Sequence, residues 1–505
     1  MFRSVIKNTV ISAVAFFAVS LLGIVLVPFL IKSYGVAGFG VIGLARLFIP
    51  LSGLGIFDLG FTEISTQTTA KARATGDWVS GGHLLGISLL FAVGLGLILG
   101  VSLIILAPFF VKWFSVPSEF SEQFVAAVRL TAIVQPILFA SLVFEGIVKG
   151  HENFRVQRLV EVFSAVTYAG LAVLFVRFSA SLFWICLAFL TGQLVRAVLS
   201  FYAARNHLKI HRAIFRSPNK AAWLEFKMRS PGLTFNKILG TAQSNGPSLL
   251  IGLILTPAAV GIFDALTRIP RFAKSVVGLI NATIQPLAVR LEHGDSPEKL
   301  GHLITTGILL IACIVLPLYA SAMAFSESIL KIWLKGNLDV YWIWQALLFV
   351  SPAFTAIVGF GASALFNRVE AVRTFNRIAL LQITIQFSVG LLLVNRLDQF
   401  SFVVGQVIAA SLAFAFQLRL IAKSVSLDGL FFKKLISVLV FLVTFSAATI
   451  VFNLHFDVLW KLAIGGIGWV VCAIIASSFI VLNREKRHDV FVFIQNALLS
   501  NLIKR

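Results

Sequence analysis

Apolar runs of twenty or so residues recur along the whole chain, broken by short polar connections. A run of that length, continuous rather than alternating, predicts a helix that spans a bilayer. The pattern predicts spans near 9–31, 39–64, 83–111, 121–148, 160–177, 181–204, 232–255, 258–289, 301–326, 340–366, 375–394, 401–420, 435–453 and 460–482. The expected fold class is an all-α integral membrane protein with about fourteen transmembrane helices. The first run, Thr9 to Ile31, exceeds the roughly 7–15 residues of a signal-peptide core, so it reads as an uncleaved first span.

The connections alternate in charge. Counting charges at the span ends with the adjoining connections, 28 of the 42 Lys and Arg residues fall on one set of connections and the two termini, against seven on the other set. Basic flanks stay in the cytoplasm during insertion, so both termini are expected inside, which requires an even number of spans. The same asymmetry accounts for the net charge of +21 without a nucleic-acid partner. Composition agrees: 58% of the 505 residues are hydrophobic and 12% charged, half the charge of an ordinary soluble protein. Cys186, Cys313 and Cys472 each lie inside an apolar run, with neither disulfide-framework nor metal-ligand spacing. In the tail, Val490, Phe491, Ile494, Leu498 and Leu502 recur at helical spacing, as expected of an amphipathic helix on the inner surface or of a frayed basic end.

Seven cations remain inside spans: Arg46, Arg129, Arg196, Lys237, Arg268, Arg271 and Lys274. Each costs about 2.5–3.5 kcal/mol at a helix centre on insertion scales, so most must reach the interface or face a wet interior. Arg129 and Lys237 sit near span ends, where snorkelling suffices. Arg268, Arg271 and Lys274 share span eight with Asp264, and the four fall within an arc of about 120°. One reading is an ion-paired structural face. The other is a cationic wall for an anionic substrate, joined by Arg46 and Arg196, since the guanidinium fork matches phosphate. Asp58 and Glu63 in span two either carry a coupling proton or cation or pair with nearby cations.

The two halves of the chain resemble each other. Ala37-Gly38-Phe39-Gly40 opens span two and Ala258-Ala259-Val260-Gly261 opens span eight, 221 residues on. Gln67 with Gly76-Asp77 is matched by Gln285 with Gly294-Asp295, and Pro136 with Phe144 by Pro352 with Phe360. This predicts two six-helix halves inserted in the same orientation, with two added C-terminal spans. The expected organisation is 1–204 and 232–424 as six-helix bundles, 205–231 as a basic cytoplasmic linker, 425–482 as the added spans and 483–505 as the tail. Such repeats place substrate between the halves. Asn245 and Pro247 in span seven and Pro270 in span eight are candidate kink or gating positions, because proline frees a backbone carbonyl.

The opening helix, then Tyr34-Gly35-Val36-Ala37-Gly38-Phe39-Gly40, Gly55-Ile56-Phe57-Asp58-Leu59-Gly60-Phe61 and Gly146-Ile147-Val148-Lys149-Gly150-His151-Glu152-Asn153-Phe154, resembles the Wzx-type polysaccharide flippases. These belong to the multidrug/oligosaccharidyl-lipid/polysaccharide exporter superfamily. The resemblance implies a MATE-like architecture. It also implies transfer of an undecaprenyl-pyrophosphate-linked oligosaccharide, such as an O-antigen unit, across the bacterial inner membrane by alternating access. It implies membrane lipid as surroundings, a polysaccharide polymerase and a chain-length regulator as partners, no cofactor, and coupling to a proton or sodium gradient. Two rivals share the layout: a flippase for the lipid-linked peptidoglycan precursor, and an ion-coupled multidrug exporter, which would favour net acid over seven cations. A membrane polymerase or ligase is disfavoured, because the longest outer connection, Glu327–Asp339, is short and lacks paired catalytic carboxylates.

Overall fold

The computed structural model describes residues 2–50, 59–207, 214, 220–293, 297–336, 338–365, 369–425, 429–451 and 467–481. Every element among them is helical. In chain order these are α1 (Phe2–Leu47), α2 (Phe61–Thr75), α3 (Trp78–Trp113), α4 (Ser118–Gly150), α5 (Phe154–Arg177), α6 (Leu182–His207), α7 (Lys220–Ile254) and α8 (Pro257–His293). They continue as α9 (Pro297–Ala324), α10 (Ser326–Leu334), α11 (Trp342–Leu348), α12 (Val350–Leu365), α13 (Val369–Leu397), α14 (Ser401–Val425), α15 (Gly429–Val451) and α16 (Ile467–Val481). Among the described residues eight segments are long and apolar enough to cross a membrane, and one of these, Glu370–Val425, takes in both α13 and α14. The architecture is the multi-spanning helical one expected. Asp58 and the amphipathic positions of the tail lie outside the described residues.

The first two spans are joined through Gly35, whose φ of 68° and ψ of 176° interrupt α1 between Tyr34 and Val36. Only glycine takes that backbone without strain. Span two itself is not the continuous helix 39–64 expected: its first part ends at Leu47, and α2 starts afresh at Phe61 after Gly60, which has φ 82°. Pro50 and the glycines that follow it give the sequence reason, since they remove a backbone donor and weaken helix propensity. Part of the expected linker is helical. Residues 220–231 are the first three turns of α7, because Trp223 and Phe226 find a packing surface: both rings meet Phe91 of α3, at 5.6 and 5.1 Å. Phe226 and Ala222 are buried with Leu84, Ile87 and Ile64.

Two compact units divide the chain. The first is Met1–Arg268 with Leu391–Phe402; the second is Ile269–Gly390 with Val403–Arg505. Within the first unit α7 packs on α3 and α1, and Pro257 and Gly261 of α8 meet α1. In the first unit close helix crossings are made through small residues. A Cβ on Gly96 or Gly100 of α3 would stand 2.7 Å from Pro136 Cα or 2.6 Å from the Ala132 carbonyl of α4. The motif after span four is also explained. Asn153 caps α5 by accepting from the Val156 N–H at 3.4 Å, Glu152 takes the left-handed backbone at φ 60°, and the His151 ring stacks on Trp78. In the second unit the core gathers Ile304, Ile308, Phe349, Ile357, Phe431 and Leu435. Phe354 and Phe414 stack at 4.6 Å, and the Tyr319 hydroxyl donates to the Ala273 carbonyl at 2.8 Å.

Candidate functional site

The duplicated glycine segments meet each other. A Cβ on Gly40 would lie 1.7 Å from the Pro257 carbonyl, and one on Gly261 would lie 2.3 Å from the Val36 carbonyl. Val36 and Pro257, like Gly40 and Gly261, are 221 residues apart, the offset of the repeat. The contact is therefore reciprocal, as a two-fold contact between equivalent segments must be. It is backbone against backbone, with room for no side chain on either glycine.

One turn further along, the symmetry is broken. Gly43 corresponds to Asp264, and Asp264 Oδ2 lies only 2.9 Å from where a Gly43 Cβ would stand. The carboxylate fills the space the glycine leaves. Asp264 is buried, and its Oδ1 accepts the Ser248 hydroxyl of α7 at 2.7 Å. Arg46, in the last turn of this part of α1, has both Asp264 and Arg268 as electrostatic neighbours. The end of a helix suits a cation, because the last carbonyls carry partial negative charge. Arg46 and Arg268 with Asp264 give two cations and one anion in one region.

Arg46 is 9% exposed, and its guanidinium carbon sits 4.0 Å over the Phe189 ring and 5.6 Å from the Tyr168 ring centre. The two rings are themselves perpendicular, 5.1 Å apart. Arg268 lies 6.0 Å over the ring of Phe39, beside Gly40. A desolvated cation over an aromatic face gains about 2 kcal/mol, which offsets much of the cost of burying it. Gln135 of α4 donates to the Phe48 carbonyl at 2.6 Å and holds the end of this helix in place.

The other expected cations are placed differently. Arg196 is held by a carboxylate. Its Nη2 donates to both oxygens of the buried Glu145, at 2.8 and 2.9 Å. Glu145 also takes Lys149 at 3.1 Å, while Arg158 and Gln157 hold Glu161 at 2.6 and 2.9 Å. These residues of α4, α5 and α6 form one ionic network. Arg271 and Lys274 follow three and six residues after Arg268 on α8, half-buried, in the second unit, and the charge of Arg271 acts on Lys274. Glu63 pairs with Lys237 at 3.1 Å, so Lys237 does more than snorkel; Arg129 is exposed. The pairing alternative thus describes Glu63. Helix α7 runs unbroken through Asn245 and Pro247, and α8 through Pro270. Positive-φ glycines stand at Gly35 and Gly60. Among the described residues no group of three His, Cys, Asp or Glu side chains is gathered for a metal ion.

Reading the sequence alone missed Phe189, Tyr168, Phe39 and Ser248. One signal was present: under the 221-residue offset Asp264 falls on Gly43, one turn from Arg46. The aromatic residues carry no such signal, because 48 phenylalanines in an apolar chain give none of them distinction.

Known proteins share sequence or fold with this chain. A Shigella flexneri protein to which O-antigen transport is ascribed is 22% identical over 300 residues, covering 59% of this chain and 70% of that protein. The fold is similar to the lipid II flippase MurJ in an inward closed conformation, with TM-score 0.67 and 13% identity, covering 93% of this chain and 98% of that one. It is also similar to an inward-facing multidrug resistance MATE family transporter of the MOP superfamily, with TM-score 0.60 and 14% identity over 83% of this chain and all of that one. The model of the polysaccharide biosynthesis protein family matches residues 5–292, more than half of the sequence, and the chain belongs to that family.

Proposed function

We propose that this protein is a flippase that carries an undecaprenyl-pyrophosphate-linked oligosaccharide, an O-antigen unit or a related surface glycan, across the bacterial inner membrane by alternating access. The observation that carries the reading is the buried Arg46 with the half-buried Arg268 beside it, in a chain of the polysaccharide biosynthesis family. A diphosphate is the part of such a substrate common to all glycans, and two guanidinium groups match it in charge and geometry. Arg271 and Lys274 extend the cationic run along α8 for the headgroup as it moves. The relative from Shigella flexneri supports an O-antigen-type cargo. The flippase and transporter folds among the solved neighbours support transport rather than catalysis. The fold of MurJ favours one second reading, transfer of the lipid-linked peptidoglycan precursor, which needs the same diphosphate chemistry.

Both termini face the cytoplasm in this reading, and a proton or sodium gradient supplies the energy. A polysaccharide polymerase and a chain-length regulator receive the product on the outer side. Native mass spectrometry of gently extracted protein is expected to detect a polyprenyl diphosphate species, whose glycan distinguishes the two readings. Neutralising Arg268 and Arg271 together is expected to abolish transport while leaving the protein in the membrane; full activity in that variant would overturn the cationic pathway.

A further inference from the structure

We infer that the first three turns of α7 dock on the membrane surface, with Leu224 and Met228 set into the lipid interface and Lys220 and Lys227 on the phosphates of anionic phospholipids. The contact is with the surrounding lipid and holds whichever glycan is carried.

The length of the helix raises the question. Helix α7 has 35 residues, so it is about 50 Å long, whereas the hydrocarbon core of a bilayer is about 30 Å thick. The expected span begins at residue 232, and residues 220–231 extend beyond it on the side of the basic connections. A helix that projected straight into water would show polar side chains there. Leu224 and Met228 are instead 59% and 69% exposed. With 100° between successive residues, Lys220, Leu224, Lys227 and Met228 fall within an arc of about 100°, and all four are exposed. The helix cannot turn to hide this face. Its other side is fixed to α3 by Trp223 and Phe226 against Phe91, with Ala222 and Phe226 buried.

Charge names the occupant. Residues 205–229 contain seven Lys and Arg and a single acidic residue, Glu225. Glu225 accepts Lys71 Nζ at 2.8 Å, so its charge is already met by α2. A basic cluster beside a span is drawn to anionic headgroups, and each Lys at such a surface strengthens the attachment roughly 5-fold. Lysine stems lie along apolar surface while their ammonium groups reach the phosphates. Insertion topology alone would ask only for the positive charge. Exposed Leu224 and Met228 beside the lysines are what a helix lying in the interface requires.

The test uses the full chain with one fluorescent reporter. Cys472, the exposed cysteine, is changed to Ser, while Cys186 and Cys313 are buried. In this background Leu224→Cys is labelled with nitrobenzoxadiazole and reconstituted into vesicles of phosphatidylcholine and phosphatidylglycerol. The label is expected to emit at shorter wavelength than in water, to be shielded from iodide, and to be quenched by lipids with a nitroxide high on the acyl chain. Nitroxide-labelled phosphatidylglycerol should quench at roughly one-tenth the membrane fraction that labelled phosphatidylcholine needs. Lys220→Gln/Lys227→Gln is expected to erase that difference with the melting temperature unchanged, a result that a merely structural role for the lysines would not give. Should Leu224→Cys fail to fold, Met228→Cys carries the same reporter. A label quenched by iodide and untouched by nitroxide lipid in a folded protein would overturn the docking. Equal quenching by the two labelled lipids, or a difference that survives the paired lysine substitution, would overturn it as well.

Discussion

Two arginines in the first unit, Arg46 buried and Arg196 half-buried, are held in different ways. Arg196 donates to Glu145 in a network that also binds Lys149, Glu161 and Arg158. Arg46 rests on the rings of Phe189 and Tyr168, with Asp264 and Arg268 in its field. Both solutions lower the cost of a charge in an apolar bundle. They differ in the partner. The ionic network ties α4, α5 and α6 together with its donors already committed to carboxylates. The aromatic corner places the other cation 4.0 Å from one ring centre and 5.6 Å from a second. The comparison teaches that two span arginines of the same type can be stabilised by different partners, rings in one case and carboxylates in the other.

The comparison can be broken at several points. The largest effect is expected at the reciprocal crossing beside the aromatic corner. Gly261→Val would drive a side chain into the Val36 carbonyl, 2.3 Å from even a Cβ, and neither backbone can move without shifting its helix. Transport and the yield of folded protein should both collapse; a Gly261→Val protein with wild-type transport and melting temperature would mean that the two segments do not touch. Next come Arg46→Gln and Arg268→Gln together. They should abolish transport with little loss of thermal stability, measured by dye-monitored melting of the purified protein.

Arg196 should behave in the reverse manner. Arg196→Gln alone leaves Glu145 buried beside fewer cations, and breaking a buried pair costs about 3–5 kcal/mol. A large drop in melting temperature is expected, with most of it recovered in Glu145→Gln/Arg196→Gln, and transport surviving in the double variant. If that double variant is stable but cannot transport, Arg196 belongs with Arg46 after all.

A smaller effect is expected at Lys237. It pairs with Glu63 while both remain partly exposed, at 33% and 41%. Such pairs contribute up to about 1 kcal/mol, so Lys237→Gln should lower the melting temperature slightly and leave substrate uptake unchanged. The smallest is at Asp77, outside the spans. The Ser80 N–H, which its side chain accepts, holds the Asp77 carboxyl below its ordinary value. A depressed folded-state value stabilises the fold above the ordinary carboxylate range and loses that effect as pH falls through it. The stability gap between wild type and Asp77→Ala should therefore be full at neutral pH and narrow in acid. A gap that widens in acid would remove the carboxylate from the cap.

Much of the fold was legible because a bilayer imposes a simple demand. Every spanning backbone must satisfy itself, so a long apolar run reads as a helix almost without further information. The runs that open α3, α4, α5 and α6 could be found in that way. The break in span two was harder, since the apolar pattern continues through 48–60 while the helix stops at Leu47. The first turns of α7 were hidden because charge made 220–231 look like solvent-exposed chain, whereas Trp223 and Phe226 had a surface waiting on α3. At the candidate site the sequence marked Arg46, Asp264 and Arg268 correctly as charges needing an explanation. It could not show that Arg196 pairs with Glu145, because a span position does not reveal which side chain lies opposite.

What the sequence by itself determined is the membrane as solvent, the number and approximate place of most helices, the duplication at an offset of 221 residues, and an excess of cations that spans do not tolerate without cause. Each of these is a local or summed property, fixed by transfer energies that act residue by residue. Only the tertiary structure decided that Gly40 meets Gly261, that Asp264 fills the place beside Gly43, and that Arg46 settles on Phe189 while Arg196 settles on Glu145. Those choices are made by which helix faces touch, and contacts between residues far apart in the chain are set by packing of the whole bundle rather than by any one segment.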